Sequence, residues 1–173
     1  MYDELRKVGA SSMSVSIRRA RPGEAGLVMS FIRALADYEK LAHEVEATEA
    51  MIDIALFGRE PRLFCDVAEW NGEAVGFAVW FINFSTFSGR SGIYLEDLFV
   101  KPEHRGKGLG KALLVHLAKT CVDNGWSRLQ WSVLDWNTPS IEFYKSLGAV
   151  LMDEWTVCRV GGEALAALAQ AKS

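Results

Sequence analysis

The sequence is poor in cysteine, and its few cysteines are widely spaced. Only three occur among the 173 residues, Cys65, Cys121 and Cys158, and none belongs to a CxxC pair. An odd number at such spacing argues against a disulfide framework and against a zinc site. We therefore expect no metal cofactor, and buried free thiols in a reducing compartment.

Long apolar runs and an excess of positive charge are absent as well. No segment approaches the roughly 18 apolar residues of a membrane-spanning helix, and the first residues lack the apolar stretch of a secretory signal. The 19 basic and 22 acidic residues give a net charge of −3. This balance argues against binding to nucleic acid or to an anionic membrane surface. We expect a cytoplasmic protein.

What the sequence does have is the composition of one folded domain. Half of the residues are hydrophobic and 11% are aromatic, which suffices for a sizeable core at this length. No linker rich in proline, glycine or serine divides the chain, and we find no internal repeat. We expect residues 15–173 to form a single domain and residues 1–14, which are mixed and polar, to form a flexible arm.

The order of the predicted elements indicates a mixed α/β fold. The apolar patterns predict a strand, two helices, three strands, a helix, a strand, a helix, a strand at 150–160 and a short alanine-rich helix. The pair Asn71-Gly72 predicts a hairpin between strands at 62–70 and 73–84. Because a hairpin joins antiparallel strands, an all-parallel sheet is excluded.

The most informative segment joins a predicted strand to a predicted helix. Its glycines alternate in Arg105-Gly106-Lys107-Gly108-Leu109-Gly110-Lys111. Such a loop exposes backbone N–H groups at a helix N-terminus, where a pyrophosphate binds well. The dinucleotide motif would need glycine in place of Lys111, and the Walker motif would need glycine in place of Arg105. A plain glycine-rich turn and a nucleotide-binding loop are the alternatives.

Two segments carry a family resemblance. The first is Arg105–Gly110, with the pattern Arg-x-x-Gly-x-Gly, and the second is Asn137–Ala149, with the pattern Asn-x-x-Ser-x-x-x-Tyr-x-x-x-Gly-Ala. In order and separation they resemble the two signatures of the GNAT superfamily of N-acetyltransferases. The segments Leu35–Glu39, Tyr94–Val100 and Val133–Asn137 are similar in particular to diamine (spermidine/spermine) and thialysine N-acetyltransferases. The resemblance spans about residues 15–165.

The resemblance implies a fold, an activity and a cofactor. The fold would be a single twisted, mixed and mostly antiparallel sheet flanked by helices. The enzyme would move the acetyl group of acetyl-CoA directly to a primary amine of a small molecule. The backbone of 98–100 would hold the pantetheine arm, and the glycine loop would wrap the pyrophosphate. The implied cofactor contacts are Leu98, Phe99, Val100, Arg105, Gly106, Lys107, Gly108, Leu109, Gly110, Lys111, Asn137, Thr138, Pro139, Ser140, Tyr144 and Lys145.

The resemblance also implies two catalytic residues and an amine site. Tyr144 would protonate the departing CoA thiolate, which a phenol of pKa about 10 can do. Glu96 would take a proton from the ammonium, directly or through water, because only a neutral amine can attack. Strand alternation would place Glu96 on the face of Leu98 and Val100, with Asp97 opposite in a structural role. The implied amine contacts are Tyr38, Glu39, Glu96, Gln130, Trp131 and Ser132.

Each of these residues also has a structural interpretation, and the acceptor stays open. Tyr144 is equally typical of a core aromatic, and Tyr38 with Glu39 of a solvated helix end. The stretch 40–44 has few acids, and the loop 84–90 is uncharged until Arg90. This favours a short amine or a lysine-like amino acid such as thialysine over spermine.

Alternative functions are acetylation of protein or peptide amines, and a CoA-binding module without catalysis. Relatives of this type are homodimers, so we expect a homodimer. Trp155, Val157 and Val160 are candidate contacts, or else ordinary sheet core.

Overall fold

The computed structural model of the chain describes residues 14–171. They fall into two compact units, divided between Ser132 and Val133. The expected N-terminal arm, residues 1–14, lies outside the described residues except for Ser14. Each unit is therefore described by itself.

The first unit contains a five-stranded sheet whose spatial order follows the chain. Its strands are β1 (Val15–Arg19), β2 (Phe64–Trp70), β3 (Glu73–Ser85), β4 (Arg90–Val100) and β5 (Leu129–Trp131). The first four are antiparallel neighbours, and β5 pairs with β4 in parallel. The expected mixed, mostly antiparallel sheet is confirmed. The strand predicted at 128–134 is reduced to three residues.

The hairpin between β2 and β3 forms where the sequence predicts it. Asn71 has φ of 52° and Gly72 has φ of 83°, both in the left-handed region. Turns with two such residues match the right-handed twist of the flanking strands. Asparagine and glycine tolerate this backbone, and the turn fixes the register of the pair.

Three helices in this unit cover the two faces of the sheet: α1 (Ala25–Glu39), α2 (Glu49–Phe57) and α3 (Leu109–Asp123). The Thr48 side chain caps α2 by accepting the Met51 N–H at 3.3 Å. Phe31 of α1 packs in one core with Val67, Phe77 and other sheet residues. The neighbour of Val67, Asp66, instead lies 3.5 Å from His116 of α3. Because neighbouring strand residues point to opposite faces, α3 covers the other side.

The second unit contains α4 (Thr138–Ser146) and α5 (Gly162–Ala169). The prediction of a strand at 150–160 is wrong for the described structure, where that segment is irregular and exposed. An apolar pattern only makes a segment suitable for pairing, and a strand also needs a hydrogen-bonded neighbour. The described residues of this unit, 133–171, contain no strand.

The cysteines are free thiols, as expected, but they are not all buried. Cys65 and Cys121 are buried, whereas Cys158 is exposed. Burial raises the pKa of the Cys65 thiol to about 12, which keeps it protonated and unreactive. Within 14–171, no three His, Cys, Asp or Glu side chains are grouped to hold a metal ion. No helix among these residues is both long and apolar enough to cross a bilayer.

Candidate active site

Strand β4 is interrupted by a β-bulge near its centre. Across from it on β3, Trp80 pairs with Leu95, whereas the adjacent Val79 pairs with Asp97. Glu96 is therefore one extra residue in β4. Such a bulge bends the strand and leaves the extra residue without a cross-strand partner.

The bulge changes which backbone groups face the free edge of β4. Before it, the Ile93 N–H donates to the Arg128 carbonyl on the β5 side, at 3.0 Å. After it, the Lys101 N–H donates to the Val75 carbonyl on β3, at 2.8 Å. Because backbone groups alternate in direction, those of Leu98 and Val100 point away from β3.

No described strand takes the hydrogen bonds of this edge. Pairing between β4 and β5 extends only to Leu95 and Trp131. The Val100 carbonyl accepts from Arg105 Nε at 3.0 Å, which occupies one of the edge groups. An extended ligand with amide groups, such as a pantetheine arm, can pair with such an edge as an added strand does.

The bulge also changes the faces to which the β4 side chains belong. Leu95 and Leu98 pair with Trp80 and Ala78, which lie two apart on β3 and therefore share a face. Strict alternation would have put this pair on opposite faces. The alternation that placed Glu96 beside Leu98 and Val100 thus does not hold. Glu96 is exposed at the bulge.

Three carboxyl groups interact at this point of the sheet. Asp97 pairs with Val79 and so lies on the face that carries α1, whose last residue is Glu39. Burial, together with the charges of Glu96 and Glu39, raises the pKa of Asp97 to about 6. Burial also raises the pKa of Glu39. Interacting carboxylates of this kind attract an ammonium group and accept protons near neutral pH.

The sequence does not reveal that Asp97 interacts with Glu96 and Glu39, and alternation assigned it only a structural role. The available signal was the adjacent acid pair Glu96-Asp97 within an otherwise apolar strand. Side-chain alternation could not show that both acids belong to one electrostatic group, because the bulge is not visible in the sequence.

The predicted glycine loop leads into α3 and leaves its N-terminus open. Gly106 and Gly108 have φ of 74° and 82°, which other residues rarely adopt. Gly108 is the N-cap, no side chain caps the helix, and its first turn has no acid. A Cβ atom on either glycine would meet nothing within 4 Å. Open N–H groups at a helix N-terminus form an anion site.

Arg105 ties this loop to α1 and β4. Its guanidinium carbon lies 4.5 Å from the Tyr38 ring centroid and 5.6 Å from that of Phe99. The same side chain donates to Val100, as described above. Lys107 Nζ lies 5.1 Å from the Trp70 ring centroid. Arg105 therefore brings the predicted amine contact Tyr38 next to the predicted cofactor segment 98–100.

The side chains of Phe99 and Leu109 are 5% and 1% exposed. Only the backbone of these two predicted cofactor contacts is placed to meet a ligand. Gly110 and the exposed Lys111 follow in the first turn of α3.

The predicted amine contacts on β5 lie beside the bulge. Gln130 and Trp131 pair with Tyr94 and Leu95, and Ser132 Oγ lies 2.8 Å from the Tyr94 hydroxyl. Leu95 immediately precedes the extra residue Glu96. The structure thus places the β5 residues next to the bulge, on the side that precedes Glu96, while Asp97 follows it.

The remaining predicted residues belong to the second unit. The Asn137 side chain is buried and caps α4 by accepting the Ser140 N–H at 3.4 Å. Tyr144 is half-buried, with its ring centroid 5.4 Å from that of Phe143. Thr138 and Pro139 form the exposed first turn, and Lys145 Nζ lies 3.3 Å from Glu142.

Comparison with known proteins shows what this chain resembles. The sequence model of the Acetyltransferase (GNAT) family matches residues 29–149. The chain is 40% identical over 166 residues to thialysine N-epsilon-acetyltransferase from Bos taurus, covering 90% of this chain and 97% of that protein. It is 43% identical over 93 residues to L-ornithine N5-acetyltransferase from Arabidopsis thaliana, covering 54% of this chain and 41% of that protein.

A solved structure has the same fold. An integron cassette protein from the mobile metagenome of V. cholerae superposes with a TM-score of 0.76 at 31% identity. The match covers 92% of this chain and 99% of that one.

Proposed function

Because the chain belongs to the GNAT family of acetyltransferases and is thus an acetyl-CoA-dependent acyltransferase, we propose that it acetylates a primary amine of a small molecule. The proposal rests on three features that lie together in the first unit. Strand β4, which carries the bulge, adjoins an open sheet edge, the uncapped N-terminus of α3 and three interacting carboxyl groups. We further propose that residues 15–173 act as a single N-acetyltransferase domain.

Acetyl-CoA would be bound mainly by backbone groups. The outward groups of Leu98 and the outward N–H of Val100 would pair with the pantetheine amides, which leaves the thioester near the bulge. The N–H groups after Gly106 and Gly108 would hold the pyrophosphate, with positive charge from Lys107. Binding through backbone groups explains why Phe99 and Leu109 can belong to the cofactor site although their side chains are buried in the core.

The amine would bind as an ammonium beside the acids. Asp97 and Glu39 would attract it, and Glu96, directly or through water, would accept its proton. The amine nitrogen would then attack the thioester carbonyl carbon, forming a C–N bond while the C–S bond breaks. A backbone N–H near Leu98 would stabilise the oxyanion. Tyr144, by the second signature, would supply the proton that the CoA thiolate takes up. The nitrogen, which still carries one proton more than the amide, would lose it to solvent, and the Tyr144 phenolate would regain a proton from solvent.

The size of the acceptor follows from the placement of the acids. Glu39, Glu96 and Asp97 interact with one another at the bulge, so they match one ammonium better than the separate cations along spermine. Two relatives support an amino acid acceptor, since their names specify thialysine and ornithine. A lysine-like amino acid or another short primary amine is therefore the preferred substrate class.

We expect kcat/KM to be higher for a lysine analogue or a short diamine than for spermine. Steady-state rates of CoA release at saturating acetyl-CoA, with each amine varied separately, measure this order. A peptide with an exposed lysine serves as a further acceptor in the same series. If spermine exceeded every short amine and lysine analogue, acids beyond this group would have to contribute to the site.

Asp97→Asn is expected to stabilise the protein and to weaken catalysis. A carboxyl whose folded pKa exceeds its unfolded value lowers stability as pH rises through that range. The variant should thus melt above the wild type at pH 8, and the difference should shrink as the pH falls below about 6. The kcat/KM for the amine should fall, because a charge that attracts the ammonium is lost.

Asp53→Asn is the matched control, because Asp53 is an exposed acid of α2 and its removal changes the net charge equally. Its melting temperature and kcat/KM should follow the wild type at both pH values. If Asp97→Asn left kcat/KM unchanged, Asp97 would have no part in the amine site.

We also propose a homodimer in the cytoplasm that binds neither nucleic acid nor membrane. Support for a second copy comes from three apolar side chains that are 50–82% exposed, Trp155, Val157 and Val160. Apolar exposure of this kind is typical of an interface. Sedimentation of the wild type against a Trp155→Ser variant measures whether these residues hold a dimer together.

A further inference from the structure

A buried carboxylate lies outside the proposed site. Asp66 on β2 is 1% exposed, and its Oδ2 accepts from Trp80 Nε1 at 2.7 Å. Its Oδ1 lies 3.4 Å from Arg19 Nε and 3.5 Å from His116 Nε2, yet it receives no hydrogen bond. A buried carboxyl group with an unsatisfied oxygen is costly, so stability alone does not account for Asp66.

The tryptophan that Asp66 holds sits directly at the bulge. Trp80 is the cross-strand partner of Leu95, the last regular residue of β4 before the extra Glu96. Its ring stacks on Phe64 with 4.4 Å between centroids, and Arg19 lies 4.9 Å above it. The bond to Asp66 fixes the rotation of the indole within these contacts, since a single N–H has one direction.

The same carboxylate also contacts the helix that carries the anion site. His116 lies seven residues after Leu109, which is about 10 Å along α3 at 1.5 Å per residue. Its Nε2 approaches Asp66 on the face of the sheet that α3 covers. Leu113 and Leu117 of the same helix are buried. Asp66 thus contacts both Trp80 of β3, which pairs with β4 at the bulge, and His116 of α3.

We propose that Asp66 is a positioning residue for acetyl transfer, which holds the bulge through its hydrogen bond to Trp80 and the pyrophosphate-binding helix through its 3.5 Å contact with His116. This inference rests on the proposed function, because it assumes that acetyl-CoA lies between the β4 edge and α3. A change in register at the bulge would exchange the backbone groups that point outward at 98 and 100 for those that point inward. A small movement of either element would therefore misplace the thioester.

The test replaces the polar pair by an apolar one. In the double variant Asp66→Leu/Trp80→Phe, both hydrogen-bond partners become apolar, so no polar group is left unpaired. The smaller ring leaves a cavity beside Phe64, so we expect a lower melting temperature. At a temperature where the variant is folded, we expect a kcat lower by about tenfold or more and a raised Kd for acetyl-CoA. Asp66→Asn keeps an acceptor for the indole N–H, so it should retain most of the wild-type kcat.

A second variant and a control keep the proposal testable if the double variant does not fold. His116 is 38% exposed, so His116→Ala should fold, and it should raise the acetyl-CoA KM several-fold with a smaller change in kcat. Val67→Ala removes a buried methyl pair on the opposite face of β2. This control should lower the melting temperature while leaving kcat and KM unchanged at a temperature where it is folded.

Acetyl-CoA affinity, measured by calorimetry without any amine, distinguishes failure of the role of Asp66 from failure of the proposed function. If the wild type binds acetyl-CoA and transfers its acetyl group, but the folded double variant or His116→Ala matches it in Kd, kcat and KM, only the role of Asp66 is overturned. If the wild type does not bind acetyl-CoA, both the proposed function and this inference are overturned.

Discussion

Tyr144→Phe is expected to lower kcat by about 10²–10⁴-fold, the usual range for a general acid, while acetyl-CoA affinity hardly changes. The substitution keeps the ring and removes only the hydroxyl, so the contact with Phe143 should persist. A CoA thiolate that leaves without a proton donor is a poorer leaving group, and the loss should fall on the chemical step. Rapid-mixing measurement of a single turnover isolates that step.

The matched control for this variant is Phe143→Leu, which disturbs the packing of α4 without removing a hydroxyl. It should lower the melting temperature more than Tyr144→Phe does and lower kcat less. If Tyr144→Phe kept kcat within about twofold while chemistry limits turnover, Tyr144 would be a packing residue. The second signature would then carry no catalytic role in this chain.

Gly108→Val is expected to abolish acetyl-CoA binding. Gly108 has φ of 82°, and a β-branched residue strongly disfavours that backbone, so the loop should rearrange. The added side chain would also project into the open space in front of the helix N-terminus, where the pyrophosphate is proposed to lie. Because the loop is exposed, the rest of the chain should still fold. Calorimetric titration with acetyl-CoA measures the loss.

Gly72→Val provides a control with equal backbone strain. Gly72 has φ of 83° in the β2–β3 hairpin, and a Cβ there also meets nothing within 4 Å. This variant should lose stability to a similar degree but bind acetyl-CoA as the wild type does. Unchanged acetyl-CoA affinity in folded Gly108→Val would remove the glycine loop from the cofactor site.

The parts of the fold that sequence predicts well are those set by local chemistry. Asn71-Gly72 specifies its turn because few residues adopt two successive left-handed conformations. The alternating glycines likewise specify the open entry to α3.

The parts that sequence does not predict depend on pairing between distant segments. The bulge at Glu96 exists only because β4 carries one residue more than β3 does, so no pattern within β4 shows it. The burial of Asp97, its interaction with Glu39 and the contacts of Asp66 depend on residues that lie far away in the chain. For 150–160 the sequence predicts too much rather than too little. Its apolar pattern predicts a strand, but the segment has no neighbouring strand in its own unit.

The most direct test of the account is the stoichiometry of acetyl transfer to a lysine analogue such as thialysine. Purified protein is incubated with acetyl-CoA and the amine, and released thiol and N-acetylated product are quantified together. The account predicts one CoA thiol released for each acetylated side-chain amine, and no release when Gly108→Val replaces the wild type. Binding of acetyl-CoA without acetylation of this or any other primary amine would contradict it.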